Sequence, residues 1–507
     1  MRALLVTSVG VTCAAALTLP LAAPASSAPV LSAASARPPS LTTEPGTDTT
    51  DTSGTSGTTA PDTITSDTTA PDGAEPRAAK SAAAPAGSTQ SLPLAPLAVP
   101  SNRVAGAPAV QGLPQRDARP FSLVGVVWDD AEAELHGTVQ VRTRATGTTR
   151  WSDWQDVETH NADHAADLGS AEREGRTVRG ATAPLWVGDS DGVEVRVRPE
   201  SPAAPESQDR AATPVPLPEG MRLELVDPGV DPAPEPARGA PANRAAVPAV
   251  FADTPPTAAL PEVLTAEIAA ASAVNAEVAE IGASVIPALT QAETAESVNL
   301  APGAKPYIGP RPRIVTRKGW GADEKLRERN FGYTKSVKAA FVHHSATGNN
   351  YTCKQAPSVL RSIYRYHVKS SGWRDFGYNF AVDKCGNIYE GRAGGVTKAV
   401  LGAHTLGFNT NTMGIAVLGS YGSTNPPAAA VTAVSKLTAW KLGLFGANPK
   451  GKVTLVSGGS NKYKKGVKVK MNVISGHRDG FATECPGARL YKKLGTARTS
   501  SAKLQGR

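Results

Sequence analysis

The chain has 507 residues, of which 48 are Gly and 42 are Pro, while aromatic residues make up 5% and apolar residues 40%. This composition excludes one continuous core, and the length allows roughly three domains of about 150 residues. The net charge of +8 hides two oppositely charged parts: residues 305–507 carry 34 Lys and Arg against 8 Asp and Glu, and residues 1–304 carry 19 against 37.

Residues 1–28 have the features of an export signal. Arg2 precedes a mostly apolar run from Ala3 to Leu19, and small residues follow at Ser26-Ser27-Ala28. A retained membrane anchor is the competing interpretation, but the run is marginal for a span of about 20 residues, and no later run approaches that length. We expect a cleaved signal peptide, no transmembrane segment in the mature chain, and a secreted protein that is extracellular or associated with a cell wall.

Two stretches biased towards Ala and Pro are predicted to be linkers. Residues 29–119 lack aromatic side chains, so they offer too little apolar surface to offset the entropy of ordering, and we expect a disordered linker. Residues 229–305 hold one helical candidate, in which apolar residues from Leu260 to Val285 recur at three- and four-residue steps. We expect a second linker that contains a short amphipathic helix.

Residues 120–228 are predicted to form a small β-rich domain of unknown function. Apolar and polar residues alternate from Val139 to Arg144 and again from Val193 to Val197, which is typical of half-buried strands. The four tryptophans suggest either a wall-binding surface or a core, and aromatic residues at strand spacing more often belong to a core. They are Trp128, Trp151, Trp154 and Trp186.

Residues 306–495 have the pattern of a single α/β domain, followed by a tail over residues 496–507. Apolar segments predict strands at 339–342, 378–382 and 413–418, and helical periodicity covers 356–363 and 427–442. A segment of this length can bury a substantial core.

Three cysteines remain once the signal is removed. Thiols of exported proteins tend to pair, and Cys353 and Cys385 can do so, which leaves Cys485. Cys485 lies eight residues after His477. A metal would explain a thiolate left without a disulfide partner.

A zinc site would use Cys485 and His477 together with one histidine from the strand that ends in His343-His344. Catalytic zinc takes three protein ligands and leaves the fourth position to water. Consecutive strand residues point to opposite faces, so only one of the two adjacent histidines can face such a site. A buried histidine beside a free thiol explains the same residue types, and these types alone leave both interpretations open.

A set of ordered motifs makes the C-terminal part specific. They are Val342-His343-His344-Ser345, Trp373-Arg374-Asp375-Phe376-Gly377-Tyr378-Asn379-Phe380, Tyr389-Glu390-Gly391-Arg392, Gly402-Ala403-His404-Thr405, Gly414-Ile415-Ala416, Gly476-His477-Arg478-Asp479, Thr483-Glu484-Cys485-Pro486-Gly487 and Leu490-Tyr491. In this order they resemble the zinc-dependent N-acetylmuramoyl-L-alanine amidases of the type-2 amidase and peptidoglycan-recognition-protein family. The N-terminal part resembles, more weakly, the extended secreted amidases of actinobacteria.

The resemblance implies a catalytic α/β domain with a mixed central β-sheet flanked by helices, preceded by the small all-β domain and the linkers. It implies that His343, His477 and Cys485 bind Zn²⁺ and that His344 is either structural or supports one of these ligands. The implied substrate is peptidoglycan, cut at the amide bond between N-acetylmuramic acid and L-alanine.

The resemblance also implies roles around the metal. Tyr378 falls close to the metal-bound water, and Thr483 falls beside the substrate carbonyl, where some relatives have a lysine. His404 and Asn409 match groove positions and are either substrate contacts or packing residues.

Two other functions compete with an amidase. Many family members are non-catalytic peptidoglycan receptors, but these commonly lack the zinc cysteine that is present here. Nucleic-acid binding is suggested by the basic charge and by lysines between residues 462 and 470, yet Tyr463 is the only aromatic residue interleaved with them. We expect no nucleic-acid partner, and attraction to anionic wall polymers explains the charge better.

Overall fold

The computed structural model describes residues 86–97, 110–159, 164–170, 172–200, 215–232, 264–298 and 307–507. The predicted signal peptide and residues 29–85 of the first predicted linker lie outside the described residues. The strands are β1 (Ala86–Pro93), β2 (Ala95–Pro96), β3 (Gln111–Trp128), β4 (Gly137–Ala145), β5 (Gln155–Val157), β6 (Gly180–Ala181), β7 (Leu185–Pro199), β8 (Arg222–Gly229), β9 (Val285–Ile286), β10 (Ile314–Val315), β11 (Ala339–His344), β12 (Phe380–Val382), β13 (Ile388–Glu390), β14 (Thr412–Val417), β15 (Lys452–Val456), β16 (Lys468–Asn472) and β17 (Ile474–Gly476). The α-helices are α1 (Ala266–Ala273), α2 (Gln291–Glu296), α3 (Ala356–Arg365), α4 (Ala428–Gly443), α5 (His477–Gly480) and α6 (Ala488–Leu504).

The N-terminal sheet is antiparallel, with the order β1-β8-β3-β7-β4-β5 and with β2 and β6 paired to β3. Alternate residues of β4 and β7, such as Val141 and Val195, are buried in its core, which is the burial that the alternation predicts. Trp128 and Trp186 are buried core residues. Trp154 instead lies beneath the guanidinium group of Arg196.

The predicted start of this domain at residue 120 is wrong. Strand β1 begins at Ala86 and pairs with β8, and β3 begins at Gln111. Strand β1 lies at the edge of the sheet, where backbone hydrogen bonds to β8 hold it in place. A polar edge strand of this kind lacks the apolar alternation by which a strand is recognised in sequence.

The C-terminal domain has the expected α/β fold with a mixed sheet. The order is β17-β11-β14-β12-β13-β10-β9; β11 runs parallel to both of its neighbours, and β12 runs antiparallel to β13. Helices α4 and α6 pack on one face, where Leu437 and Leu494 share a core with Val342 and Ile415. Helix α3 packs on the opposite face.

Helix α3 contacts both sheets and joins the two domains. Its residues Val359 and Ile363 belong to the same apolar cluster as Ala381 of the C-terminal sheet and Leu123 of the N-terminal sheet. Just after the helix, the Tyr366 hydroxyl donates to the carbonyl of Thr182 at 3.1 Å. The β-rich domain is therefore held against the α/β domain by a shared apolar core.

The second predicted linker, residues 229–305, is also corrected. In its described part, α1, β9 and α2 pack on the C-terminal domain: β9 extends the sheet next to β10, and Asn275 Nδ2 donates to Glu390 Oε1 at 2.8 Å. The predicted helix is shorter than its apolar pattern: α1 ends at Ala273 and turns follow it. The chain then passes through Gly282, whose φ is 81°, and enters β9. Leu260 lies outside the described residues.

The predicted tail at residues 496–507 is the end of a packed helix. Helix α6 continues to Leu504, and Ser501 is buried, with its hydroxyl donating to the carbonyl of Ser435 at 2.9 Å. Small side chains allow this close approach of α6 to α4. Because the segment has few large apolar residues, its sequence does not indicate a buried helix.

A disulfide joins Cys353, in the 3-10 turn just before α3, to Cys385, in the turn before β13, as the cysteine count allows. Cys485 is buried. Within the described ranges, no helix combines the length and apolar character that crossing a bilayer requires.

The packing of residues 264–298 can be tested with two isoleucines of that segment. Ile286 is fully buried in the core, whereas the side chain of Ile281 is 55% exposed. We expect Ile286→Ala to lower the free energy of unfolding by about 2–5 kcal/mol and Ile281→Ala to change it by less than about 0.5 kcal/mol. Urea denaturation followed by tryptophan fluorescence measures both values. Equal effects of the two substitutions would show that the segment is a linker after all.

Candidate metal centre

Strand pairing places two histidines side by side. Strands β11 and β17 are parallel neighbours in which Val342 is the partner of Gly476, so the next residues, His343 and His477, lie side by side at the same edge of the sheet. Their ring centroids are 4.4 Å apart, and both side chains are fully buried. The chain then enters α5 at His477, which fixes the direction of that side chain.

The loop after α5 returns Cys485 to the same point. The backbone N–H of Arg478 donates to the carbonyl of Cys485 at 2.9 Å and closes the loop. Cys485 Sγ lies 3.8 Å from His343 Nδ1 and is fully buried. The three residues named from the sequence as zinc ligands are thus brought together.

His344 lies on the other face of β11. Its Nδ1 accepts a hydrogen bond from the backbone N–H of Tyr421 at 3.3 Å, and its Nε2 lies 3.4 Å from Glu158 Oε1. The alternation of side chains along a strand separates it from the cluster.

A fourth donor, His164, was missed by the sequence reasoning. It comes from the β-rich domain, and its Nε2 lies 3.7 Å from Cys485 Sγ. One ligand atom from each of His164, His343, His477 and Cys485 can be chosen so that all four lie within 4.8 Å of one another. His164 is 321 residues from Cys485 in sequence, and no spacing or motif connects the two.

The surroundings of His343 favour the neutral imidazole that a metal needs. Burial lowers the pKa of His343 well below its ordinary value, and the nearby His477 and His164 rings lower it further. The Nδ1 atom of His343 faces Cys485, and its Nε2 atom lies 3.5 Å from Thr405 Oγ1. A polar partner on the second ring nitrogen is the usual way to fix the orientation of a metal-binding histidine.

Tyr378 and Thr483 flank the cluster. The Tyr378 ring lies 5.2 Å from the ring of His343 and is buried. The Thr483 hydroxyl accepts from the backbone N–H of Cys485 at 3.2 Å and is partly exposed. That bond uses a lone pair and not the proton of the hydroxyl, so the hydroxyl can still donate to a third group.

His404 and Asn409 are packing residues in this structure rather than exposed substrate contacts. His404 is fully buried, with Nδ1 3.0 Å from Thr405 Oγ1 and Nε2 3.4 Å from Thr412 Oγ1. Asn409 Oδ1 accepts from the backbone N–H groups of His404 and Thr405. Both side chains build the loop that supports His343.

The donor set fits zinc. Imidazole nitrogens and one thiolate sulfur, buried and converging on one point, are the ligands of tetrahedral zinc sites. Oxygen-seeking ions such as Mg²⁺ and Ca²⁺ are disfavoured, because the cluster offers no carboxylate.

Comparisons with known proteins agree with this division of the chain. The family described as N-acetylmuramoyl-L-alanine amidase matches residues 333–488, and the family described as Rv3811 N-terminal galactose-binding domain-like matches residues 73–216. Peptidoglycan-recognition protein SC2 of Drosophila simulans is 30% identical over 185 residues, which are 36% of this chain and 85% of that protein. This chain therefore belongs to the family of N-acetylmuramoyl-L-alanine amidases and peptidoglycan-recognition proteins.

Two further relatives are similar over the same share of this chain. The N-acetylmuramoyl-L-alanine amidase of Homo sapiens is 30% identical over 194 residues, which cover 36% of this chain and 28% of the human protein. The solved structure of wild-type Drosophila PGRP-LB is 25% identical to this chain. The match covers 36% of this chain and 92% of the PGRP-LB chain, with a TM-score of 0.29.

Proposed function

We propose that the protein is a secreted, zinc-dependent N-acetylmuramoyl-L-alanine amidase that cleaves the bond between N-acetylmuramic acid and L-alanine of peptidoglycan. The observation that carries the proposal is the convergence of His343, His477 and Cys485 in the α/β domain of this family.

In this proposal His343, His477 and Cys485 hold the zinc. When bound, zinc supplies a Lewis acid that polarises the substrate carbonyl and lowers the pKa of a water from about 15.7 to about 7. Burial of all three side chains supports the role, because electrostatic interactions are stronger in a site that excludes water.

Tyr378 and Thr483 act on the reacting groups. The Tyr378 hydroxyl orients the attacking water or donates to the oxyanion that forms at the carbonyl, and its ring is held against His343. Thr483, beside Cys485, adds a second donor. Such donors stabilise charge that develops only in the transition state.

Peptidoglycan as the substrate is supported by the names of the relatives, among them a peptidoglycan-recognition protein and an amidase. Secretion is supported by the sequence of residues 1–28. The exposed lysines of the β15–β16 hairpin and its loop suit attraction to anionic wall polymers. Those lysines are Lys452, Lys462, Lys464, Lys465, Lys468 and Lys470.

A non-catalytic peptidoglycan receptor is the second candidate, favoured by the recognition proteins among the relatives. The two are separated by digesting soluble muropeptides and looking by mass spectrometry for a peptide with a free L-alanine amine. Wild-type and His164→Ala chains are both assayed, because His164 contacts the cluster. Cleavage by either chain supports the amidase, and zinc-loaded chains that both fail to cleave support the receptor.

The ligand assignment can be tested with the adjacent histidines. We expect His343→Ala and Cys485→Ser to weaken zinc binding by at least about a hundredfold. Loss of a contact that only supports a ligand lowers metal affinity by about 10–100-fold, and loss of the ligand itself should lower it more. His344→Ala, the matched control on the opposite face, should change the affinity by less than about threefold. Competition with a chromophoric chelator measures these constants. An affinity that followed His344 instead of His343 would refute the assignment.

The role of Tyr378 is tested by removing only its hydroxyl. We expect Tyr378→Phe to keep the wild-type zinc affinity while cleavage slows by about 10²–10³, as for the loss of one transition-state donor. Zinc affinity and single-turnover cleavage are measured on the same preparation. Unchanged cleavage would remove Tyr378 from the mechanism, and a parallel loss of zinc would make it a structural residue.

A further inference from the structure

A catalytic zinc site needs an open position, and here the β-rich domain fills it. Structural zinc sites are closed by four protein ligands, whereas catalytic sites use three and leave the fourth to water and substrate. His164 adds a third imidazole to the two histidines and one cysteine of the proposed centre. The described cluster therefore has the composition of a closed site on a domain that belongs to an amidase family.

The His164 ring occupies the space in which chemistry would take place. Its centroid lies 4.4 Å from that of His477, 5.1 Å from that of His343 and 5.7 Å from that of Tyr378. It therefore lies beside both the ligands and the tyrosine assigned to the reacting groups. With His164 there, none of the four cluster residues is more than 5% exposed, and a muropeptide cannot reach them.

Residues 164–170, here termed the plug segment, are held in place by polar contacts. Asp167 Oδ1 accepts from the backbone N–H of Gly407 at 2.7 Å and from Asn409 Nδ2 at 2.8 Å. Asn409 Nδ2 also donates to the carbonyl of Ala165 at 2.9 Å. These bonds attach the plug segment to the same loop, residues 404–409, that supports His343.

Further contacts on either side of the plug segment bring the β-rich domain over this region. Glu158 lies 3.4 Å from His344 Nε2, and Glu172 pairs with Arg392, which is itself buried. Arg374 Nε donates to the carbonyl of Glu172 at 2.9 Å.

The plug segment has room to move although the domains are joined. A cavity of about 430 Å³ lies beside it, and His164, Ala165 and Leu168 form part of its wall. Leu168 is 45% exposed, so the outer side of the segment is not packed. The apolar core around α3 holds the domains together, and withdrawal of the short segment costs far fewer contacts than their separation.

We propose that His164 is a fourth ligand of the metal and that the plug segment keeps the full-length enzyme latent until it withdraws. The inference rests on the proposed zinc site and adds a way of regulating it. The regulating group comes from the β-rich domain, whereas the proposed catalytic residues all belong to the α/β domain. In the latent state the zinc position is closed by three imidazoles and one thiolate. Withdrawal of His164 opens one position to water and substrate.

The test compares His164→Ala with His136→Ala in the full chain. His136 belongs to the same domain and is an exposed histidine away from the cluster. We expect His164→Ala to cleave soluble muropeptides at least about tenfold faster than wild type, since the fraction of open sites limits the rate. His136→Ala should cleave at the wild-type rate.

Cobalt(II) substitution gives a readout that does not depend on activity. We expect the d–d absorption bands of cobalt-loaded His164→Ala to differ from those of wild type, and added imidazole to restore the wild-type bands while it inhibits cleavage. Imidazole should leave the spectra of wild type and His136→Ala unchanged. Asp167→Ala, which leaves His164 in place but removes two bonds of the plug segment, should raise cleavage by a smaller factor than His164→Ala.

The outcomes separate the two proposals. A wild-type chain that binds no metal refutes the zinc site itself. Metal binding with identical cobalt spectra of wild type and His164→Ala refutes the fourth ligand alone. Slower cleavage by a folded, metal-loaded His164→Ala chain would make His164 a catalytic residue and would overturn latency. Latency would also be overturned if the cobalt spectra showed His164 bound to the metal in wild type but His164→Ala cleaved at the wild-type rate.

Discussion

The parallel pairing of β11 with β17 is the constraint on which the candidate centre depends. Its register sets Val342 opposite Gly476, and the next residue in each segment, His343 in β11 and His477 at the start of α5, is a histidine at the same edge of the sheet. Cys485 then needs only a short loop to reach them, closed by the Arg478 to Cys485 backbone bond. A shift of one residue in either strand would exchange His343 for His344 or turn His477 away.

The second constraint is the apolar core that α3 shares with both sheets. It fixes the β-rich domain at a defined position on the α/β domain, so a residue of one domain can lie within bonding distance of the centre in the other. His164 is buried at the metal cluster for this reason, and Asp167 and Glu172 find partners on the loops around it. The N-terminal domain is thus part of the candidate site.

The sequence predicted what depends on local pattern. Strand alternation showed that only one of His343 and His344 can face the site, and the family resemblance assigned His343. Apolar periodicity located α3 and α4, and the cysteine count left Cys485 for a metal. Prediction from the sequence failed where contacts between distant parts of the chain determine the structure. The edge strand β1 and the short strand β9 are held by backbone pairing to distant strands, and His164 reaches the cluster only through the domain interface. His160 and Asp163 lie near His164 in sequence, but no spacing links this stretch to His477 or Cys485.

Zinc K-edge X-ray absorption of the full-length wild-type chain tests the central claim most directly, because it counts the ligands of the metal in solution. The account predicts three imidazole nitrogens at about 2.0–2.1 Å and one sulfur at about 2.3 Å, with no oxygen in the first shell. Two imidazoles, one sulfur and one water oxygen would contradict it. That result would mean that His164 does not close the site and that the full-length chain carries an open catalytic centre.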